Sequence, residues 1–258
     1  MPSSQSSLAL VTGTSSGIGE ALARELLRRG WNVVGIARRT AAIVDPAYTH
    51  LQLDVGDLTT LASSLDTKLA PRVADPAITR LGLVNNAAME ALLGPISQLD
   101  AAAMLEVYAV NTGAPVLLMG WFQRHARHDQ PLRIVNVSTG AAVAPFPGLG
   151  AYGNTKAALR MAGMIMAAEL DAASSTSPTQ PDTTLLSFEP GVVDTPMQTN
   201  VRASSVETLP IVQIFKDFAT NGALVHPALP ARAIADYLDT DGHRRWEERR
   251  FDPSTADA

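Results

Sequence analysis

The chain has 258 residues, 46% of them hydrophobic and 17% charged, with a formal net charge of −5. That balance predicts a single α/β domain over 1–258 with a sizeable core, and the acidic sign argues against a nucleic-acid partner, which needs a cationic face. The sequence contains no cysteine, so disulfides, thiolate metal ligands and cysteine nucleophiles are excluded.

No apolar run approaches the roughly 18 residues of a membrane span, so no membrane partner is expected. The opening MPSSQSS lacks the basic and apolar parts of a secretory signal. Tails are expected over 1–7 and 253–258, and a cytoplasmic location with them. His125 and His128 could share a helix face, but no carboxylate or third histidine is placed to complete a site, so no metal is expected.

In chain order, short apolar runs alternate with amphipathic stretches, the pattern of βαβ units on a parallel sheet. LALV (8–11) reads as a buried strand. The following GIGEALARELLRRG puts Ile18, Ala21, Leu22 and Leu26 on one helical face, with Gly30 to end it. Further strands are predicted at NVVGIA (32–37), HLQLDV (50–55), LGLVNN (81–86), RIVNV (133–137) and TLLSFE (184–189). Helices are predicted over 57–70, 97–126 and 151–171. The polar, proline-bearing 172–182 and PFPGLG (145–150) read as loops. The C-terminal 241–258 is charged and patternless, which predicts a mobile end.

TGTSSGIG, Thr12 to Gly19, lies between the first strand and the first helix. Small residues there let the backbone approach a pyrophosphate, with helix N–H groups and the helix dipole facing it. Gly13 allows the tight turn, Gly17 the close approach, and Gly19 the packing of helix on strand. Ser15, Ser16 and Ile18 complete the predicted cradle. The second strand runs into Arg38 and Arg39, where an NAD-preferring site usually presents a carboxylate to the ribose. Two guanidiniums suit a 2′-phosphate, so NADP(H) is expected to be preferred, with NAD(H) possible.

Tyr152 and Lys156 are four apart and share a helix face. A free tyrosine titrates near pKa ~10, and an adjacent ammonium stabilises its phenolate, giving an acid or base usable near neutrality.

TGTSSGIG, NNAA (85–88), Asn111, NVST (136–139), YGNTK (152–156) and EPGVVDT (189–195) resemble, in order and spacing, the short-chain dehydrogenase/reductase family from about Leu8 to Met197. The resemblance implies a Rossmann-type, doubly wound parallel sheet of about seven strands with helices on both faces. It implies that Tyr152 exchanges a proton with the substrate oxygen while Lys156 holds the nicotinamide ribose and lowers the tyrosine pKa. Asn111, at a local helix distortion, would bind a water linking Lys156 to solvent. Asn86, Ala87 and Ala88 would contact the cofactor, Asp54 and Val55 the adenine, and Pro190, Gly191, Val193 and Thr195 the nicotinamide; a carboxylate at the strand end, Asp54, could equally cap the following helix.

The chain departs from the family pattern in three places. The substrate hydroxyl, usually a serine, falls on Thr139, thirteen residues before Tyr152; Ser138 is the alternative. Ala88 stands where glycine is usual. The connection from Arg39 to the next strand leaves little room for a crossover helix.

The segments Gly191 to Gln198 and Phe215 to Pro227 are most similar to a sepiapterin reductase and benzil reductase-like subgroup. That implies NADPH-driven reduction of a ketone or vicinal diketone beneath a lid over 198–225. Met197, Ile211, Ile214, Phe215 and Phe218, with Pro145 and Phe146 opposite, are the candidate pocket lining. Two alternatives are an alcohol or 3-oxoacyl reductase and a catalytically silent NADP(H) sensor. A homodimer or homotetramer is implied, joined through 97–126 and 151–171, where Met161, Met164, Ile165 and Met166 cover more than one face.

Overall fold

The computed structural model of the chain describes residues 6–89, 93–174 and 180–255. Its strands are β1 (Ser6–Thr12), β2 (Asn32–Ala37), β3 (Tyr48–Gln52), β4 (Ile78–Asn85), β5 (Leu132–Val137), β6 (Thr183–Glu189) and β7 (Trp246–Arg250). They form one sheet in the order β3-β2-β1-β4-β5-β6-β7, with every pairing parallel. The helices are α1 (Gly17–Arg28), α2 (Leu58–Ser64), α3 (Ala70–Val73), α4 (Ala101–Tyr108), α5 (Ala114–His125), α6 (Gly150–Ser174), α7 (Pro196–Arg202), α8 (Val212–Thr220) and α9 (Ala228–Asp239).

Successive strand residues point to opposite faces, and both faces here are apolar. Leu8, Leu10, Leu81, Leu83 and Ile134 join one buried cluster with Leu61, Leu118, Phe122 and Leu159. Their neighbours Ala9, Val11, Val84 and Val135 join the other, with Leu22, Leu26, Ile234 and Leu238. The result is the expected doubly wound fold, and its strand order reverses between β1 and β4. A crevice opens there at the strands' carboxyl ends.

Two helical rods carry a proline inside them, and each widens into a π turn just before it: Leu65–Leu69 before Pro71, and Ala109–Gly113 before Pro115. Proline has no N–H to return to the carbonyl four residues earlier, so the α-helical ladder must break there.

Several expectations are corrected. β1 begins at Ser6, inside the predicted tail, because Ser6 and Ser7 pair with β4; residues 1–5 and 256–258 lie outside the described residues. The third strand is Tyr48–Gln52 rather than 50–55, since Asp54 leaves the sheet in a turn, its carboxylate accepting from the Gly56 N–H at 2.9 Å. α6 runs on to Ser174, into the predicted loop. The patternless C-terminus contains β7, whose Trp246 packs where Gly163 leaves room; a Cβ on Gly163 would lie 2.5 Å from its ring. One 18-residue stretch of the 101–125 rod has mean hydropathy 1.3, enough by length and composition alone to cross a membrane, although the sequence holds no unbroken apolar run of that length. Part of that apolarity belongs to the core, since Val107, Val110, Leu118, Trp121 and Phe122 are buried in the chain's own interior, while Leu105 and Val116 are exposed.

No helix connects β2 to β3, as the short connection implies. Tyr48 packs beside the glycine turn instead: its hydroxyl lies 3.0 Å from Thr14 Oγ1. A Cβ on Gly35 would sit 2.6 Å from that Oγ1 and nearer still to the tyrosine oxygen.

Candidate active site

Gly13 (φ +78°) and Gly17 (φ +61°) occupy the left-handed region, which other residues adopt only with strain. A Cβ on Gly13 would lie 2.8 Å from Asn86 Nδ2. The turn is pinned from β4: the Asn86 and Ala87 N–H groups donate to Thr12 Oγ1 at 3.0 and 2.9 Å, and Asn86 Nδ2 donates to the Thr12 carbonyl at 2.8 Å. Ser16 precedes α1 without a side-chain cap, so the first N–H groups of that helix remain available to an anion.

A cleft of about 860 Å³ runs from this turn across the carboxyl ends of the strands. Its walls include Gly13, Ser15, Ser16, Gly17, Ile18, Arg38, Arg39, Asp54, Val55, Asn86, Ala87 and Ala88 at one end. Toward the other lie Ser138, Thr139, Tyr152, Lys156, Pro190, Gly191, Val193 and Thr195. Gly19 and Asn111 stand behind the wall. Gly19 packs against Gly13, as the sequence predicts, and Asn111 is 1% exposed. Arg38 and Arg39 are both exposed. Arg39 reaches back over the turn, its Nη2 donating to Ser15 Oγ at 3.5 Å and Ser16 Oγ at 3.4 Å. Asp57, not Asp54, caps α2, accepting from the Thr60 N–H at 3.0 Å.

On α6, Tyr152 and Lys156 face the cleft together, the Lys156 ammonium 5.8 Å from the centre of the Tyr152 ring. Lys156 is 2% exposed and donates to the Val137 carbonyl at 2.8 Å, at the end of β5. Burial disfavours its charged form and pulls its pKa down to about 8. Thr155, which the sequence reading missed, ties α6 to the π turn. Its hydroxyl donates to the Tyr152 carbonyl at 2.8 Å and accepts from Asn111 Nδ2 at 3.1 Å. The Asn111 amide also exchanges two hydrogen bonds with the Met89 backbone, at 2.8 and 2.9 Å. Its expected helix distortion is the π turn at Ala109–Gly113. The missed signal was Pro115, four residues on, which cannot return a hydrogen bond to the Asn111 carbonyl.

Thr139 Oγ1 accepts from the Ala141 N–H at 3.3 Å, and Ser138 and Thr139 both border the cleft. Thr195 caps α7, accepting from the Gln198 N–H at 3.5 Å. Beyond Tyr152 the wall is mostly apolar, with Phe146, Met197, Ile211, Ile214, Phe215 and Phe218, but it also includes Glu189, Gln198, Asn200 and Arg250. Pro145 is exposed and is not part of the lining. No group of three or more His, Cys, Asp or Glu able to hold a metal occurs among the described residues.

The features fit a nicotinamide dinucleotide: a tight glycine turn, an uncapped helix N-terminus and a lysine–tyrosine pair across one crevice define a Rossmann-type oxidoreductase. The family model "short chain dehydrogenase" matches residues 7–205, and the chain belongs to that family, whose members use nicotinamide cofactors. It is 29% identical to a benzil reductase ((S)-benzoin forming) of Bacillus cereus, with 94% of this chain and 98% of that one covered. It is also 29% identical to a benzil reductase ((S)-benzoin forming) of Bacillus subtilis (strain 168), covering 95% and 99%. A crystal structure of the KRED1-Pglu enzyme superposes with a TM-score of 0.78 at 25% identity, over 93% of this chain and all of that one (100%). The chain is thus an oxidoreductase acting on a small molecule.

Proposed function

We propose that this enzyme is an NADPH-dependent carbonyl reductase for small ketones or diketones, with Tyr152 as the general acid. The observation that carries the reading is the buried Lys156, held by the Val137 carbonyl beside Tyr152 at the cleft wall. The likeness to two benzil reductases over nearly the whole chain supports the substrate class. When bound, the reduced nicotinamide supplies a hydride to the carbonyl carbon. Tyr152 gives a proton to the carbonyl oxygen, and Thr139 donates a hydrogen bond to it. The Lys156 ammonium favours the phenolate left behind and binds the nicotinamide ribose. Asn111 acts through its backbone carbonyl, positioning a water that returns the proton from solvent, since its side-chain amide is already engaged.

Arg39, lying over Ser15 and Ser16, is the anchor for a 2′-phosphate, with Arg38 beside it. The 198–225 stretch, carrying α7 and α8, serves as the lid. A homodimer or homotetramer would cover the apolar groups exposed on the helices expected to join it: Leu105 (74%), Val116 (43%), Met161 (50%) and Ile165 (51%). Met166 packs against the core instead. We place the enzyme in the cytoplasm.

The test is NADPH and NADH consumption over a panel of diketones, ketones and sepiapterin, with Arg39→Ala and Tyr152→Phe alongside. The NADPH preference is expected to fall at least tenfold in Arg39→Ala, about 1.5–3 kcal/mol for charged hydrogen bonds. Tyr152→Phe should lose about 10³ in kcat with cofactor binding retained. Cofactor binding without turnover on any carbonyl would overturn the reductase in favour of a sensor.

A further inference from the structure

Among the described residues, six charged side chains border the cleft: Arg38, Arg39, Asp54, Lys156, Glu189 and Arg250. The first three stand with the glycine turn, and Lys156 is taken up beside Tyr152. Glu189 and Arg250 remain, in a wall that also carries the neutral polar side chains of Ser138, Thr139, Gln198 and Asn200, and neither takes part in the proposed hydride and proton transfer.

Glu189 ends β6. Along that strand Leu185 belongs to the core cluster that contains Leu159 of α6, while Leu186 and Phe188 belong to the opposite cluster. Alternation therefore puts Glu189 on the α6 face, the face of Tyr152. The contacts agree: a Cβ on Gly140 would lie 3.4 Å from Glu189 Oε1 and 4.0 Å from the Phe146 ring. The carboxylate thus overlies the residue next to Thr139. Arg250 Nε stands 3.5 Å from Glu189 Oε1, and the two side chains are 74% and 26% exposed. So exposed a pair contributes under about 1 kcal/mol to stability, so the fold does not explain a carboxylate in this position.

We infer that Glu189 is a specificity-determining residue that accepts a hydrogen bond from a hydroxyl on the carbon next to the reacting carbonyl. The preferred substrates are then α-hydroxy ketones. The inference rests on the carbonyl-reductase reading of this site. An ionised carboxylate can only accept. A hydroxyl satisfies it with a charge-assisted bond, a second carbonyl turns its own lone pairs toward the negative charge, and a plain alkyl group gives it nothing. Arg250 holds the carboxylate from the solvent side. In the reaction the carbonyl π bond is replaced by a C–H bond, from the nicotinamide hydride, and an O–H bond, from the Tyr152 proton. A vicinal diol and the oxidised cofactor result.

The test compares wild type with Glu189→Leu, similar in size and unable to accept; Arg250 is exposed enough to stay hydrated. Turnover of acetoin, butanone and diacetyl is measured, together with calorimetric binding of butanediol, its hydroxyls vicinal, to the protein with oxidised cofactor. The ratio of kcat/KM for acetoin over butanone should fall about tenfold in the variant, with diacetyl gaining on acetoin and the diol binding about tenfold more weakly. An unchanged ratio, with wild type active on these ketones, overturns the role of Glu189 alone. A wild type that binds cofactor but turns over none of the three overturns the reductase reading and this inference with it.

Discussion

A methyl group added at Gly19 would lie 2.5 Å from Asn86 Nδ2 and nearer still to the Gly13 carbonyl oxygen, whereas one added at Gly222, beyond α8, would meet nothing within 4 Å. The two ends of the cleft are held together in different ways. At the dinucleotide end, backbone groups of β1, α1 and β4 are in direct contact and buried Thr12 holds them together. At the substrate end, α7 and α8 rest on a small cluster of their own, Val201, Leu209 and Val212, and leave Ile214 48% exposed. An end built from packed backbone holds one ligand shape. An end built from side chains on short helices can change its lining without disturbing the sheet.

The strongest way to test that contrast is Gly19→Ala. The turn has to move, at a cost of about 2–3 kcal/mol for overpacking, and cofactor affinity should fall more than tenfold; denaturant unfolding and NADPH titration read the two effects. A variant as stable as wild type would show that the turn yields more easily than its contacts imply.

Lys156 marks the join between the two ends, and Lys156→Met sharpens the comparison through pH. Its pKa of about 8 lies below the ordinary lysine value of 10.5. The unfolded chain therefore binds more protons between those pH values, so wild-type stability rises with pH across that window. The penalty for burying the ammonium is complete below pH about 8 and absent above about 10.5. Without cofactor, Lys156→Met should be more stable than wild type by about 2–3 kcal/mol at pH 7, even as activity is lost, with the gap closing as pH rises. A gap independent of pH would mean that the lysine titrates normally.

The smallest effect is expected at Ile214→Ala. Half-exposed and away from the sheet, it should change stability by no more than about 0.5 kcal/mol, yet raise KM for the ketone. A loss of stability of a full kcal/mol or more would show that the lid helices are part of the main core after all.

Legibility in the sequence follows the same division. The strand–turn–helix at Thr12–Gly19 and the Tyr152–Lys156 pair were readable because each depends on residues within one or two helical turns. β7 was not: WEERR is an edge strand carrying charge toward solvent, with no alternation of apolar residues, and only its pairing with β6 makes it a strand. The membrane-like composition of the 101–125 rod was equally undecidable from a window of sequence, because the residues that bury its Leu118, Trp121 and Phe122 come from elsewhere in the chain. Thr155 looked like a helix-interior residue until Asn111, 44 positions away, was found against it.

The alternating α/β plan, the glycine cradle and the proton-transfer pair could be read along the chain, because periodicity and short spacing place those groups with no help from distant residues. That Arg39 lies over Ser15 and Ser16, that Lys156 is buried against Val137, and that Glu189 stands over Gly140 emerged with the folded chain alone. Each of those contacts joins separate strands and helices, and parallel crossovers bring such residues together at distances no local pattern records.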